Sequence, residues 1–303
     1  MSTDMSTEEL LEVVTVGEAL VVFATDSGDR LASADTVTMR SAGAEVNLAR
    51  TMARMGSRVA WAGAVGADPF GDRVVADLME SGVDVSYVTR DPSAPTGIYF
   101  KDTDAHQSTS VYYYRRGSAA SKLDARFVGG LPRSRVLHLS GITAAISDGG
   151  VHLLEAALLA RQRESLLSFD VNFRPTLWGE RDAAGVLAQL ANSADLVFVG
   201  LDEAALLWGT VTVDDIRALL PQPSTVIVKD GEVGATSLSA TGTLFEPSPK
   251  IDVVEVVGAG DAFAAGYLHA LLAGRSERER LQRGHEAAGR ALTTTDDVGA
   301  ALA

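Results

Sequence analysis

Short apolar runs recur along the chain, each followed by a polar or glycine-containing break. Val13-Val14-Thr15-Val16 ends in Gly17-Glu18, and Arg58-Val59-Ala60-Trp61-Ala62-Gly63-Ala64-Val65-Gly66 follows. Val136-Leu137-His138-Leu139-Ser140, Leu166-Leu167-Ser168-Phe169-Asp170, Leu196-Val197-Phe198-Val199 and Val226-Ile227-Val228-Lys229 complete the series. Runs of this length suit strands covered on both faces. Between them apolar positions recur at helical spacing, as in Val46, Ala49, Met52, Ala53 and Met55, with Gly56 placed to end that helix. A second helix is expected over 70–81, closed by Gly82. Others are expected near 148–163, 182–191, 202–208, 214–220, 261–273 and 277–292. Strands alternating with helices predict a mostly parallel sheet between helical layers.

Two segments depart from this alternation. Residues 24–40 are polar with scattered apolar positions. Gly97-Ile98-Tyr99-Phe100-Lys101 and Thr109-Ser110-Val111-Tyr112-Tyr113-Tyr114-Arg115 flank a polar turn over 102–108 and read as a half-exposed antiparallel hairpin. The expected architecture is one α/β domain over 1–303, carrying a small β lid built from segments near 18–40 and 95–116.

Composition narrows the chemistry. The 303 residues carry 40 acids and 26 bases, a formal net charge of -14, which argues against nucleic acid as a partner. Cysteine is absent, so disulfides, thiol nucleophiles and thiolate metal sites are excluded. The five histidines are scattered without metal-ligand spacing. No apolar run is long enough to span a membrane. Residues 1–11 are polar and acidic, without a secretory pattern, and the cytoplasm is the expected compartment.

Polar groups collect just after the predicted strands, where ligands sit in such sheets. They are Gly17-Glu18, Asp170-Val171-Asn172, Lys229-Asp230-Gly231 and Gly258-Ala259-Gly260-Asp261. In the last of these a glycine turn opens a helix. Unpaired N–H groups and the positive dipole end there suit a phosphate. Asp261 is either the helix N-cap or a base beside that phosphate. The stretch is not a dinucleotide fingerprint, because Phe263 stands at the third glycine position. It is not a P-loop either, because none of Lys101, Lys122, Lys229 and Lys250 follows a glycine. Lys229-Asp230-Gly231-Glu232-Val233-Gly234-Ala235 is either an ordinary two-glycine turn or a backbone contact for a nucleotide. Asp202 and Glu203 open a predicted helix, where acids often only balance the dipole. On the lid, Tyr113 and Arg115 share one strand face. Arg174 follows Asp170 and Asn172. Two arginines at one mouth suit a carboxylate, which guanidinium matches in a two-pronged geometry.

Val257-Gly258-Ala259-Gly260-Asp261-Ala262-Phe263-Ala264-Ala265-Gly266 resembles the C-terminal signature of the ribokinase-like carbohydrate kinases, the phosphofructokinase-B family. Ala42-Gly43-Ala44-Glu45-Val46-Asn47-Leu48-Ala49 resembles its G-G-x-x-x-N-x-A motif, with Ala42 for the first glycine. Gly63-Ala64-Val65-Gly66-Ala67-Asp68-Pro69-Phe70-Gly71 resembles its G-x-x-G-x-D-x-F-G turn. The resemblance implies a three-layer sandwich with a β lid and ATP-dependent phosphorylation of a sugar hydroxyl. It implies Asp261 as general base, backbone N–H groups of Gly258, Ala259 and Gly260 holding the migrating charge, and Gly43 and Asn47 on sugar hydroxyls. It places Lys229, Gly231, Gly234, Gly258 and Gly260 beside ATP, and Glu203 on Mg²⁺ through water. Two departures bear on ions. Gly200 stands where the family's N-x-x-E motif has its amide, and Glu255-Val256 stands for an acid-threonine pair near a monovalent-cation site.

Tyr99, Tyr113, Arg115 and the run Asp170-Val171-Asn172-Phe173-Arg174-Pro175-Thr176-Leu177-Trp178 resemble the 2-keto-3-deoxygluconate kinase subgroup. That likeness implies a sugar acid held by Tyr99, Tyr113, Arg115, Asn172 and Arg174 and phosphorylated at its primary hydroxyl. A neutral-sugar kinase, fructokinase or ribokinase, is the alternative, and a silent sugar-binding protein on the same scaffold a third. An exposed lid sheet invites pairing with a second copy, so a homodimer through the lids is expected.

Overall fold

The computed structural model describes residues 10–25, 30–103, 109–160, 165–254 and 256–293. Its strands are β1 (Leu11–Val16), β2 (Leu20–Ala24), β3 (Thr38–Ala42), β4 (Val59–Gly66), β5 (Val88–Asp91), β6 (Gly97–Thr103) and β7 (Thr109–Tyr114). They continue with β8 (Ser134–Ser140), β9 (Leu166–Asp170), β10 (Leu196–Gly200), β11 (Thr225–Asp230), β12 (Gly234–Ser239) and β13 (Gly242–Pro247). The helices are α1 (Ala44–Arg54), α2 (Pro69–Glu80), α3 (Gly141–Ile146), α4 (Asp148–Leu159) and α5 (Pro175–Trp178). They end with α6 (Ala183–Asn192), α7 (Leu201–Trp208), α8 (Val213–Leu219), α9 (Ala259–Leu272) and α10 (Glu277–Leu292).

The central sheet has the order β13-β12-β11-β10-β9-β8-β1-β4-β5. Strands from β5 across to β11 pair in parallel, and β12 and β13 add an antiparallel edge. Alternate residues of its inner strands enter two different cores. Val14, Val16, Val197, Val199, Val226 and Val228 pack with Leu153, Leu154, Leu187 and Ile216 on one side. Val13, Phe198 and Ile227 pack with Leu48, Met52, Leu78, Leu268 and Leu281 on the other. Burying one such large apolar side chain is worth about 1.5–3 kcal/mol. Two opposed cores explain why the strand sequences are apolar throughout and do not alternate.

The second sheet has the order β3-β2-β6-β7, with β2 and β6 parallel and the outer pairs antiparallel. Phe23 stacks on Phe100 at 4.9 Å and meets Phe70 of α2 edge-on at 5.7 Å, which fixes this sheet to the helical layer. Its opposite face carries a small cluster of Leu20, Val22, Ala42 and Tyr99.

The structure departs from the sequence expectation at several elements. β5, β12 and β13 are strands that the apolar pattern does not mark; β13 is largely exposed and is held by its ladder to β12. Before the glycine turn, where the apolar residues allow either a strand or a loop, Val253, Val254 and Val256 belong to no strand and are exposed. The helix expected over 148–163 ends at Leu159; residues 161–164, and 104–108 of the lid turn, lie outside the described residues. Among the described residues no helix is long and apolar enough to cross a membrane.

Candidate active site

The helix α9 begins after Gly258, whose φ of 83° is left-handed. Glycine takes this conformation without a Cβ penalty, and it turns the chain sharply into the helix. No side chain caps that end. The first N–H groups of a helix lack intrahelical partners, so those at Ala259, Gly260 and Asp261 are suited to an anion. Lys229, at the end of β11, brings its ammonium to the same place. A methyl group on Gly260 would lie 3.3 Å from Lys229 Nζ. Lys229 Nζ donates to Asp170 Oδ2 at 2.9 Å, and the lysine is held in its charged form by Asp170 and Glu203 against the cost of burial.

Asp261, in the first turn of α9, is held by two amides. Asn47 Nδ2 donates to its Oδ2 at 2.9 Å, and Asn172 Nδ2 donates to its Oδ1 at 3.4 Å. Asp261 is therefore not an N-cap folded onto its own helix. Burial pushes its carboxyl up to about 7. The Asn47 bond opposes that rise, Asp170 adds to it, and Lys229 and Arg174 oppose it. Asn172 has φ of 42°, the only left-handed residue other than glycine among the described residues. Asparagine tolerates this region better than most side chains, and such strain gathers at functional positions.

Glu203, in the first turn of α7, accepts the Phe173 N–H and, at 3.0 Å, the Gly200 N–H. It ties the turn that carries Asn172 and Arg174 to the end of β10. Burial and the nearby Asp170 raise its carboxyl above the usual range. Arg174 is 55% exposed, with Nη1 3.8 Å from Glu203 Oε1. A Cβ at Gly200 would meet Asp202 Oδ1 at 2.8 Å, so the amide side chain of the family motif would have to displace that exposed carboxylate.

Asp261, Asn47, Asn172, Arg174, Lys229, Glu203 and the glycines 258 and 260 thus meet at one edge. Gly43 opens α1 at φ 147°, where a Cβ would collide with the Glu18 carbonyl oxygen. Gly231, at φ 46°, lies in the tight turn between β11 and β12, and Gly234 faces the backbone of Glu246. The two-glycine segment forms a hairpin turn, with Gly234 packed against β13. On the lid, the Tyr99 and Tyr113 rings lie 5.5 Å apart and the Arg115 guanidinium covers Tyr113 at 5.3 Å. Arg115 is buried and paired with Glu18.

Sequence reasoning placed Asp170 at this edge without giving it a role. Its Oδ1 is buried with no protein partner. Among the described residues no three acids or histidines form a ready metal cage. Mg²⁺ does not need one, since it is usually held by one or two carboxylates with waters and substrate phosphates. The unpartnered Asp170 oxygen beside Glu203 and Lys229 fits that pattern.

The pfkB family carbohydrate kinase model matches residues 10–300. The chain is 35% identical over 289 residues to a 2-dehydro-3-deoxygluconokinase of Bacillus subtilis (strain 168), covering 91% of this chain and 87% of that one. It is 31% identical over 267 residues to fructokinase-1 of Zea mays, covering 86% and 83%. A crystal structure of a PfkB protein from Polaromonas sp. JS666 superposes with a TM-score of 0.85 at 32% identity, covering 94% of this chain and 97% of that one. With a ribokinase-like α/β fold and the Asp261 constellation at the start of α9, the chain belongs to the PfkB family of carbohydrate kinases.

Proposed function

We propose that this carbohydrate kinase transfers the γ-phosphoryl group of ATP to the primary hydroxyl of a sugar acid, with 2-keto-3-deoxygluconate as the preferred acceptor. The observation that carries the transfer is Asp261, held by Asn47 and Asn172 at the uncapped start of α9. An acceptor hydroxyl donates its hydrogen bond to the Asp261 carboxylate. As its oxygen attacks the γ-phosphorus, the proton passes to Asp261 and the bond to ADP breaks. The N–H groups at the start of α9 and the Lys229 ammonium face the charge that accumulates on the phosphoryl oxygens. Bound Mg²⁺ supplies further neutralisation of phosphate charge, and Asp170 and Glu203 are the carboxylates that would hold it. The hairpin turn at Gly231 is the nucleotide-side contact. The monovalent-cation site of relatives would fall at Glu255-Val256; Glu255 is outside the described residues, and Val256 is exposed.

The acid acceptor rests on Arg174, more than half exposed and close enough to Asp261 to favour its ionised form. A guanidinium at this mouth matches a carboxylate in a two-pronged, charge-assisted geometry that a neutral sugar hydroxyl does not offer. The likeness to the Bacillus subtilis enzyme supports the same acceptor. The neutral-sugar reading is favoured by the fructokinase likeness. A coupled assay of ADP release across ketodeoxygluconate, fructose, ribose and nucleosides decides between them. A kcat/KM highest for fructose overturns the sugar-acid reading. We also propose that the chain is one cytoplasmic domain that pairs through its lids. Tyr112 and Tyr114 lie exposed on β7, and sedimentation of Tyr114→Asp as a monomer beside a dimeric wild type would support it.

A further inference from the structure

The chain crosses between the central sheet and the lid sheet at four places: β1 to β2, β3 to α1, β5 to β6, and the exit from β7. The crossings meet around one buried side chain. Glu18 lies in the first, at 2% exposure. At Gly43, in the second, a Cβ would collide with the Glu18 carbonyl oxygen. At Gly97, in the third, a methyl group would lie 2.8 Å from Glu18 Oε1 and 3.3 Å from Arg115 Cβ. The fourth supplies Arg115, which pairs with Glu18, and Ser118, whose Oγ donates to Glu18 Oε1 at 2.7 Å.

We propose that Glu18 is a positioning and specificity-determining residue for acceptor binding, anchoring one edge of the Arg115 guanidinium so that the remaining edge is presented to an anionic group on the acceptor. This rests on the sugar-acid reading above. The guanidinium carries five donors in a fixed planar fork, more than one carboxylate can use. Glu18 engages it at Nη2. The Tyr113 ring lies under the guanidinium and itself touches Tyr99, so the plane of the fork is set from a second direction. A long side chain with free rotamers would lose that freedom on binding an anion; Arg115 is already fixed, and a preset fork loses less. Ser118 fixes Glu18 in turn. The pair sits where the lid joins the body, so a shift of the lid moves the fork with it.

The test measures KM and kcat of Glu18→Gln, in the full-length enzyme at saturating Mg-ATP, with ketodeoxygluconate and with fructose. Calorimetry with ketodeoxygluconate alone gives the affinity without turnover. The amide keeps the shape and the acceptor for Ser118 but removes the charge that orients Arg115. The expected result is a rise of about tenfold or more in KM and Kd for the sugar acid, with kcat within about twofold and fructose KM little changed. An equal rise for both acceptors shows a merely structural hinge and overturns the proposal, as does no rise for either. If Glu18→Gln fails to fold, Ser118→Ala loosens Glu18 and leaves the ion pair; a selective rise in sugar-acid KM supports the proposal and an unchanged one overturns it. A wild-type enzyme indifferent to ketodeoxygluconate overturns the sugar-acid reading itself, and this proposal with it. A wild type that prefers ketodeoxygluconate, with Glu18→Gln indistinguishable from it, overturns this proposal alone.

Discussion

Asn47 Nδ2 donates to Asp261 Oδ2 at 2.9 Å across 214 positions of sequence. The bond joins α1, near one end of the chain, to the first turn of α9, near the other. It fixes which way the Asp261 carboxylate points, and it leaves that carboxylate clear of its own helix backbone. A residue that its chemistry alone allowed to be a helix cap is thereby aimed elsewhere.

Asp261→Asn keeps the shape and one acceptor oxygen for the Asn47 amide but cannot take a proton. We expect kcat to fall by about 10²–10⁴-fold, with thermal unfolding close to wild type. Turnover within about tenfold of wild type would remove Asp261 from the role of base.

Burial raises the Asp261 carboxyl to about 7. The base must be ionised to act, so kcat/KM should fall as pH drops below about 7, with a slope of one proton. The Asn47 bond opposes the rise. Asn47→Ala should therefore move the acid limb to higher pH. A pH–rate profile of both proteins measures this, and a limb that stays put or moves down contradicts the assignment.

Lys229→Met removes the cation beside the start of α9 and leaves Asp170 buried without its partner. Losing one preorganised donor of this kind typically costs about 10²–10³-fold in kcat. We expect that loss together with a raised KM for ATP. Unchanged ATP kinetics would show that the ammonium serves only Asp170.

Glu45 is fully buried and accepts from Ser140 Oγ at 2.7 Å and Thr143 Oγ1 at 3.1 Å. Burial raises its carboxyl from 4.5 to about 7. The folded protein thus holds a proton that the unfolded chain releases between those values, and the fold loses stability as pH rises through that window. Glu45→Gln has no proton to lose. Compared by denaturant midpoints at pH 5 and pH 8, the variant should gain on wild type at the higher pH by about 1–3 kcal/mol. An equal drop in both proteins would show that Glu45 does not hold that proton.

Gly17, between β1 and Glu18, leaves the space that the Glu45 carboxylate fills. A Cβ at this position collides with it. Gly17→Ala should lower stability by about 1–3 kcal/mol through forced displacement of Glu45. Thermal unfolding within a degree of wild type would show that the carboxylate moves aside freely.

Much of this molecule is written locally. The apolar runs at Val13, Leu196 and Val226 specify strands covered on both faces, because every position along them meets a core. The glycine turn before Asp261 specifies an uncapped helix start, because only local backbone geometry is involved. The edge strands β5 and β13 are not legible. Each is held by a ladder to a single neighbour, which leaves little trace in side-chain pattern.

By itself the sequence determined the alternating layers, the two distant motifs and the residue types at the strand ends, since these depend on periodicity and short-range geometry. Only the tertiary structure decided what those residues face. It turned Asp261 toward Asn47 and Asn172, set Asp170 against Lys229, and drew Arg115 inward to Glu18. Buried charges must find partners, and in a parallel sheet the partners come from strand ends far apart in the chain.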